Sequence, residues 1–201
     1  MSTNMKSLLA QWYKQGCQYA PSRVASINRK SLIKKFAEAG FTEGAEIGVD
    51  RATFSSFMFE EIPNLHLWCV DPWELHFRGE SRHISTCRKL EHYNATIVRK
   101  FSMDALIDVP DESLDFVYID ANHEFDYVMR DIIEWSKKVK IGGVVAGHDY
   151  YRFRNAGVVA AVDVYTRMHG IEEWFVTDEQ MASFFWIREH RLFDKSKRKP
   201  G

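Results

Sequence analysis

The sequence predicts an α/β fold built on a doubly wound, largely parallel sheet. Short apolar runs alternate with segments of helical period along most of the chain. Each of the first five apolar runs is followed by an acid or a histidine. Strand–helix alternation implies a parallel sheet covered on both faces. In such a sheet ligands sit at the carboxyl ends of the strands.

Composition narrows the possibilities further. The chain has 201 residues, 45% of them hydrophobic and 14% aromatic, ample for one packed domain and unlike a disordered protein. With 27 basic and 28 acidic residues the formal charge is −1. Nothing in that balance points to nucleic acid or an acidic membrane as the partner. Cys17, Cys69 and Cys87 are too few and scattered for a disulfide framework, and Cys69 lies in an apolar run as a buried thiol. No signal-like or membrane-spanning run is visible, so a cytoplasmic chain is expected.

Three regions are expected: an N-terminal cover over 1–30, a main domain over 31–188 and a basic tail over 189–201. In the cover, Trp12, Tyr13, Tyr19 and Val24 pack on the domain. Ser31 to Gly40 reads as an amphipathic helix with Leu32, Ile33, Phe36 and Ala37 on one face. Ala45–Val49 is a first strand, followed by a helix over Phe54–Glu60. Leu65–Val70 is a second strand, and 80–94 is helix-compatible. Thr96–Phe101 and Leu114–Ile119 are the third and fourth strands. Phe125, Val128, Ile132, Trp135 and Val139, at steps of 3, 4, 3 and 4, mark one apolar helix face. Gly142-Gly143 is expected to stop that helix, and Val144–Ala146 to begin a fifth strand. Val158, Ala161, Val162, Tyr165 and Met168 give another helix, closed by Gly170. Glu173–Thr177 and Ala182–Ile187 can pair as a hairpin, for seven strands in all. The tail from Arg188 onward reads as a solvated terminus.

The strand ends carry the chemistry. Gly48 permits a sharp turn and close approach of a ligand to the backbone. Asp71, at the end of the next strand, can accept both hydroxyls of a ribose, which indicates a nucleoside-containing ligand without saying which. Asp104 either opens a helix or accepts from an adenine amine. Asp120-Ala121-Asn122-His123 and Gly147-His148-Asp149-Tyr150 place two carboxylates and two imidazoles beyond adjacent strands. Asp120 with Asp149 suits Mg²⁺ or Mn²⁺, and His123 or His148 is a third ligand or a base. Trp73, His76, Phe77, Arg78 and the Tyr150–Arg154 cluster line an acceptor pocket, form a lid or meet a partner subunit.

Together these residues resemble the class I S-adenosylmethionine-dependent methyltransferases over roughly 30–188. The resemblance implies a Rossmann-like doubly wound seven-stranded sheet, mostly parallel with an antiparallel terminal strand. Glu46-Ile47-Gly48-Val49 resembles the family's first motif, and Asp71 matches its ribose-holding acid. Ser102-Met103-Asp104 resembles its adenine-side segment. Tyr118 to Glu124, the Asp131/Trp135 helix and Gly142 to Tyr150 are similar to a subgroup of small-molecule O-methyltransferases, macrolide-sugar enzymes among them. That likeness implies Asp120 and Asp149 as metal ligands with His148 beside them, Asp120 also near the cofactor, and His123 as base. It departs at Ala52, where a glycine is usual, and at His148, where a carboxylate is common. No Asn/Asp-Pro-Pro-Tyr/Phe run follows the fourth strand, which argues against amino-group methylation of adenine or glutamine. The implied partner is a small-molecule acceptor, with no membrane, a homo-oligomer open, and a nucleic acid favoured only by the basic tail, which leaves a nucleic-acid methyltransferase as the third-ranked rival. A nucleotide-dependent oxidoreductase and a non-catalytic cofactor binder are the alternatives.

Overall fold

The computed structural model describes residues 5–7, 21–74, 79–152 and 156–189. Trp12, Tyr13, Cys17, Tyr19, His76, Phe77, Arg78, Phe153, Arg154 and the tail beyond Glu189 lie outside the described residues. The strands are β1 (Ser22–Val24), β2 (Glu43–Ile47), β3 (His66–Val70), β4 (Ala95–Val98), β5 (Leu114–Ile119), β6 (Val139–Gly147), β7 (Trp174–Thr177) and β8 (Phe184–Ile187). The helices are α1 (Arg29–Glu38), α2 (Thr53–Glu61), α3 (Gly79–Leu90), α4 (Ser102–Ala105), α5 (Phe125–Lys138) and α6 (Val158–Met168).

The strands form one sheet in the order β1-β7-β8-β6-β5-β2-β3-β4. Only β8 runs antiparallel to its neighbours, β6 and β7. From β2 the chain winds outward to β3 and β4, then crosses back to β5 and β6. The switch point therefore lies between β2 and β5, where the loops after those strands diverge.

Side-chain alternation fills both faces. Phe116, Tyr118, Val144 and Ala146 pack with α1 and α2, whereas Val117, Ile119 and Val145 pack with α5 and α6. Gly44 is small because the Phe116 ring occupies the space its Cβ would need. Asn28 caps α1 by accepting from the Ser31 amide at 2.9 Å, and Gly40 beyond its end has φ +77°. Cys69 is buried as expected, and burial pushes its thiol well above the ordinary range.

Three expectations are corrected. The sheet has eight strands, because Ser22–Val24, read as cover, pairs in parallel with β7. Gly142-Gly143 does not stop α5, which ends at Lys138. The glycines lie inside β6, where Leu114 pairs with Val139 but Phe116 pairs with Val144. This irregularity uses the positive φ of Gly142, +88°, and the missing side chain of Gly143, which lets β6 approach the Asp115 carbonyl. Arg188 is not part of a solvated tail. It is buried, donating to the carbonyls of Lys137 and Val139 and pairing with Glu112 at 3.2 Å.

Candidate functional site

Four residues just past the strand ends stand in one row. Asp71 N donates to Val98 O (3.2 Å), Gly48 N to Val70 O (2.9 Å), Asp120 N to Ile47 O (2.8 Å) and His148 N to Ile119 O (2.9 Å). Each bond extends the ladder one step beyond the neighbouring strand. The loops read from the sequence as ligand-bearing are thus fixed on one edge of the sheet.

The first loop is shaped for close approach. Gly48 has φ +95°, and a Cβ on it would overlap the Asp120 carbonyl. Asp50 and Ala52 also adopt left-handed backbone, at φ 47° and 52°. Ala52 sits at the N-cap of α2 with no side-chain cap, and it is fully buried. The loop thus takes a glycine-like turn without glycine there, and holds it from outside. Asp71 does much of that holding. Its Oδ2 accepts from the amides of Val49 (3.1 Å) and Asp50 (2.9 Å), and its Oδ1 from Trp73 (2.7 Å). Oδ1 keeps one lone pair for a ligand hydroxyl. The Asp50 carbonyl accepts from Trp73 Nε1 and Thr86 Oγ1, both at 2.8 Å, and its carboxylate pairs with Arg82 at 2.6 Å. Helix α3 is therefore bound to the loop. Trp73, expected near an acceptor, is buried in this packing.

Glu46 lies beneath the loop, 2% exposed, and accepts a hydrogen bond from Ser55 Oγ. Burial raises its carboxyl to about 8, so it is largely neutral at pH 7. Ser102 is half-buried at the start of α4. It donates to Asp131 and accepts from Trp135 Nε1 at 2.8 Å, tying α4 to α5. Burial raises Asp131 to about 6. Met103 packs half-buried against the core, and Asp104 is exposed.

Beyond β5 and β6, donor atoms of Asp120, His123 and Asp149 lie within 4.8 Å of one another. His123 Nε2 is 3.0 Å from Asp149 Oδ2 and 3.6 Å from Asp120 Oδ1. His148 Nδ1 is 3.2 Å from Asp149 Oδ1 and 3.6 Å from Asp120 Oδ2. Asp120 and Asp149 together raise His123 to about 10, making it an imidazolium in this arrangement. Burial would raise Asp149, but His123 and His148 outweigh it and hold the carboxyl below its usual range. Asp149 has φ 60°, and its Oδ1 is buried without a hydrogen bond. Gly157 N donates to His123 O at 2.7 Å, bracing the loop from the start of α6. Tyr150, expected near an acceptor, instead donates to Asp163 at 2.7 Å and rests edge-on against Trp174.

Two members of this edge have no assigned part in the sequence reading, Arg29 and Ser55. Ser55 follows Glu46 within the first-motif stretch, on the buried face of α2, which is a usable signal. Arg29 has none. It reaches Asp120 only because β1 docks on β7 and places the start of α1 there.

The fold is shared with solved methyltransferases. An O-methyltransferase from Bacillus cereus in complex with SAH superposes with a TM-score of 0.62 at 13% identity, covering 91% of this chain and 90% of that one. Precorrin-6y C5,15-methyltransferase from Geobacter metallireducens gives 0.61 at 14% identity, covering 80% and 87%. No curated protein matches the sequence closely enough to count as a relative. A family described as a methyltransferase domain matches residues 45–150, which run from β2 through Tyr150 and include every loop of the row just described. The chain belongs to that family, and it is a class I S-adenosylmethionine-dependent methyltransferase.

Proposed function

We propose that the enzyme methylates a hydroxyl oxygen of a small molecule, aided by a divalent cation held by Asp120 and Asp149. The observation that carries this reading is the meeting of Asp120, His123 and Asp149 at the switch-point side of the sheet. The donor set fits a hard cation: two carboxylates, with the imidazole of His148 as a third donor. The buried Asp149 Oδ1 makes no well-formed hydrogen bond although His148 Nδ1 lies 3.2 Å away, and a cation would satisfy such an oxygen. A divalent ion there supplies charge that orients an acceptor oxygen and lowers its pKa.

Methyl transfer is an in-line displacement that leaves a neutral thioether, so the leaving group needs little acid help. The protein's tasks are alignment and removal of the acceptor proton. His123 is placed for the second. With both carboxylates unneutralised it stays an imidazolium at pH 7, so its service as a base depends on a cation taking over those two charges. Gly48 leaves room for the methionine end of the cofactor, and Asp71 offers its remaining lone pair to the ribose. The oxidoreductase alternative falls with the family assignment.

Mn²⁺ binding tests the cation directly. Calorimetry is expected to show one Mn²⁺ site that is lost in Asp149→Asn and Asp120→Asn. Over a panel of hydroxyl acceptors, chelator should stop SAH release and added Mg²⁺ or Mn²⁺ should restore it. Full activity in excess chelator would remove the metal from the reaction.

A further inference from the structure

Arg29 stands near Asp120 at the carboxyl edge, closest to Oδ2 where His123 is closest to Oδ1. Its backbone amide donates to Glu179 Oε1 at 2.7 Å, so the β7–β8 turn sets its position. Its guanidinium carbon lies 4.8 Å over the ring of Phe54, in the first turn of α2. Its Nη1 is 3.9 Å from Asp120 Oδ2, close enough for attraction but too far for a hydrogen bond. The side chain is 33% exposed, and its guanidinium donates no hydrogen bond to any described residue. Its positive charge favours the ionised forms of the buried Glu46 and Tyr118, against the larger effect of their burial.

A guanidinium is a planar fork of five donors, matched to a carboxylate or phosphate. Stacking on Phe54 fixes the plane of this fork and leaves its donors unspent. The cofactor of this family brings a sulfonium, an ammonium and a carboxylate at its methionine end. The first two are cations, and the edge is rich in acids for them: Asp71, Asp120 and Asp149. The carboxylate needs donors. Phe54, which carries the stacked guanidinium, stands in the first turn of α2, whose N-cap residue Ala52 makes no side-chain cap.

We propose that Arg29 is a cofactor-positioning residue that clamps the α-carboxylate of the methionine group of S-adenosylmethionine. Asp120, 3.9 Å away, then stands beside the ammonium end, and the two opposite charges fix the orientation of the amino-acid moiety over Gly48. The clamp rests on the family assignment, and neither a metal nor the acceptor's identity enters it.

Calorimetry with two ligands tests this: SAH, and its decarboxylated analogue, which keeps the adenosine, thioether and ammonium. Wild type should prefer SAH. Arg29→Gln should weaken SAH by at least about tenfold, the scale of a lost charge-assisted pair, and leave the analogue unchanged, so the preference disappears. Arg29→Lys should restore part of it, since the charge returns without the fork, and it is the second variant should the glutamine fold poorly. Equal weakening of both ligands would make Arg29 a scaffold residue and overturn the clamp. Unchanged SAH affinity would overturn it too, and a raised acceptor KM alongside would move the anion to the acceptor.

Discussion

Gly48 and Asp120 touch across the crevice where the sheet reverses its winding: the space a Cβ would fill at position 48 holds the carbonyl of Asp120. That contact couples the cofactor loop after β2 to the acidic loop after β5. The neighbour is backbone, so it cannot swing aside as a side chain would.

Gly48→Ala should therefore fail twice. The φ of +95° strains any side chain, and the methyl pushes the Asp120 loop. Stability should fall by roughly 2–4 kcal/mol, with SAH affinity lost as well. Denaturant melts and calorimetry read both, and wild-type values would mean that the crevice has room to open.

Asp71 should matter for loop order before it matters for ribose. Asp71→Ala strips acceptors from the Val49, Asp50 and Trp73 amides, at about 1–3 kcal/mol for each donor left buried. Amide exchange at Val49 and Asp50 should accelerate, and SAH binding should disappear. Slow exchange at both amides in the variant would show that another acceptor holds the loop.

His123→Ala should separate binding from turnover. His123 lies on the acidic cluster with 44% of its side chain exposed, so its removal should leave SAH affinity near wild type while methyl transfer stops. Retained turnover would eliminate its role as the base.

Stability should fall as pH rises from about 5 to 8. Glu46, raised to about 8, and Asp131, raised to about 6, stay protonated in the fold at pH values where the unfolded chain has released those protons. The native state then binds more protons, so each pH unit within a group's window costs about 1.4 kcal/mol. His123, raised to about 10, acts with the same sign above pH 6.5. Glu46→Gln should flatten the profile between about 4.5 and 8. An unchanged slope in that variant would place the proton uptake elsewhere.

Much of this enzyme was legible in the sequence because the signals are local. Period-two and period-3.6 apolar patterns fix which face of each element is buried, and β5 falls on the residues expected, Leu114–Ile119. The rule that parallel sheets bind ligands at strand carboxyl ends then singles out Gly48, Asp71, Asp120 and Asp149, and the row of backbone bonds aligns the loops that carry them. The resemblance supplied the antiparallel strand, which is β8.

The tertiary structure alone decided the rest. Ser22–Val24 is too short to show a period, and becomes a strand only because β7 offers a free edge about 150 residues away in the chain. That pairing brings Arg29 to Asp120. Gly142-Gly143 looks like a helix stop by composition, but β5 extends β6 through it. Arg188 looks like the start of a charged tail until the carbonyls at the end of α5 and Glu112 surround it. In each case a residue's own neighbours state its preference, and a partner remote in sequence sets the outcome, because hydrogen-bond pairing and charge burial are settled by what lies across the gap.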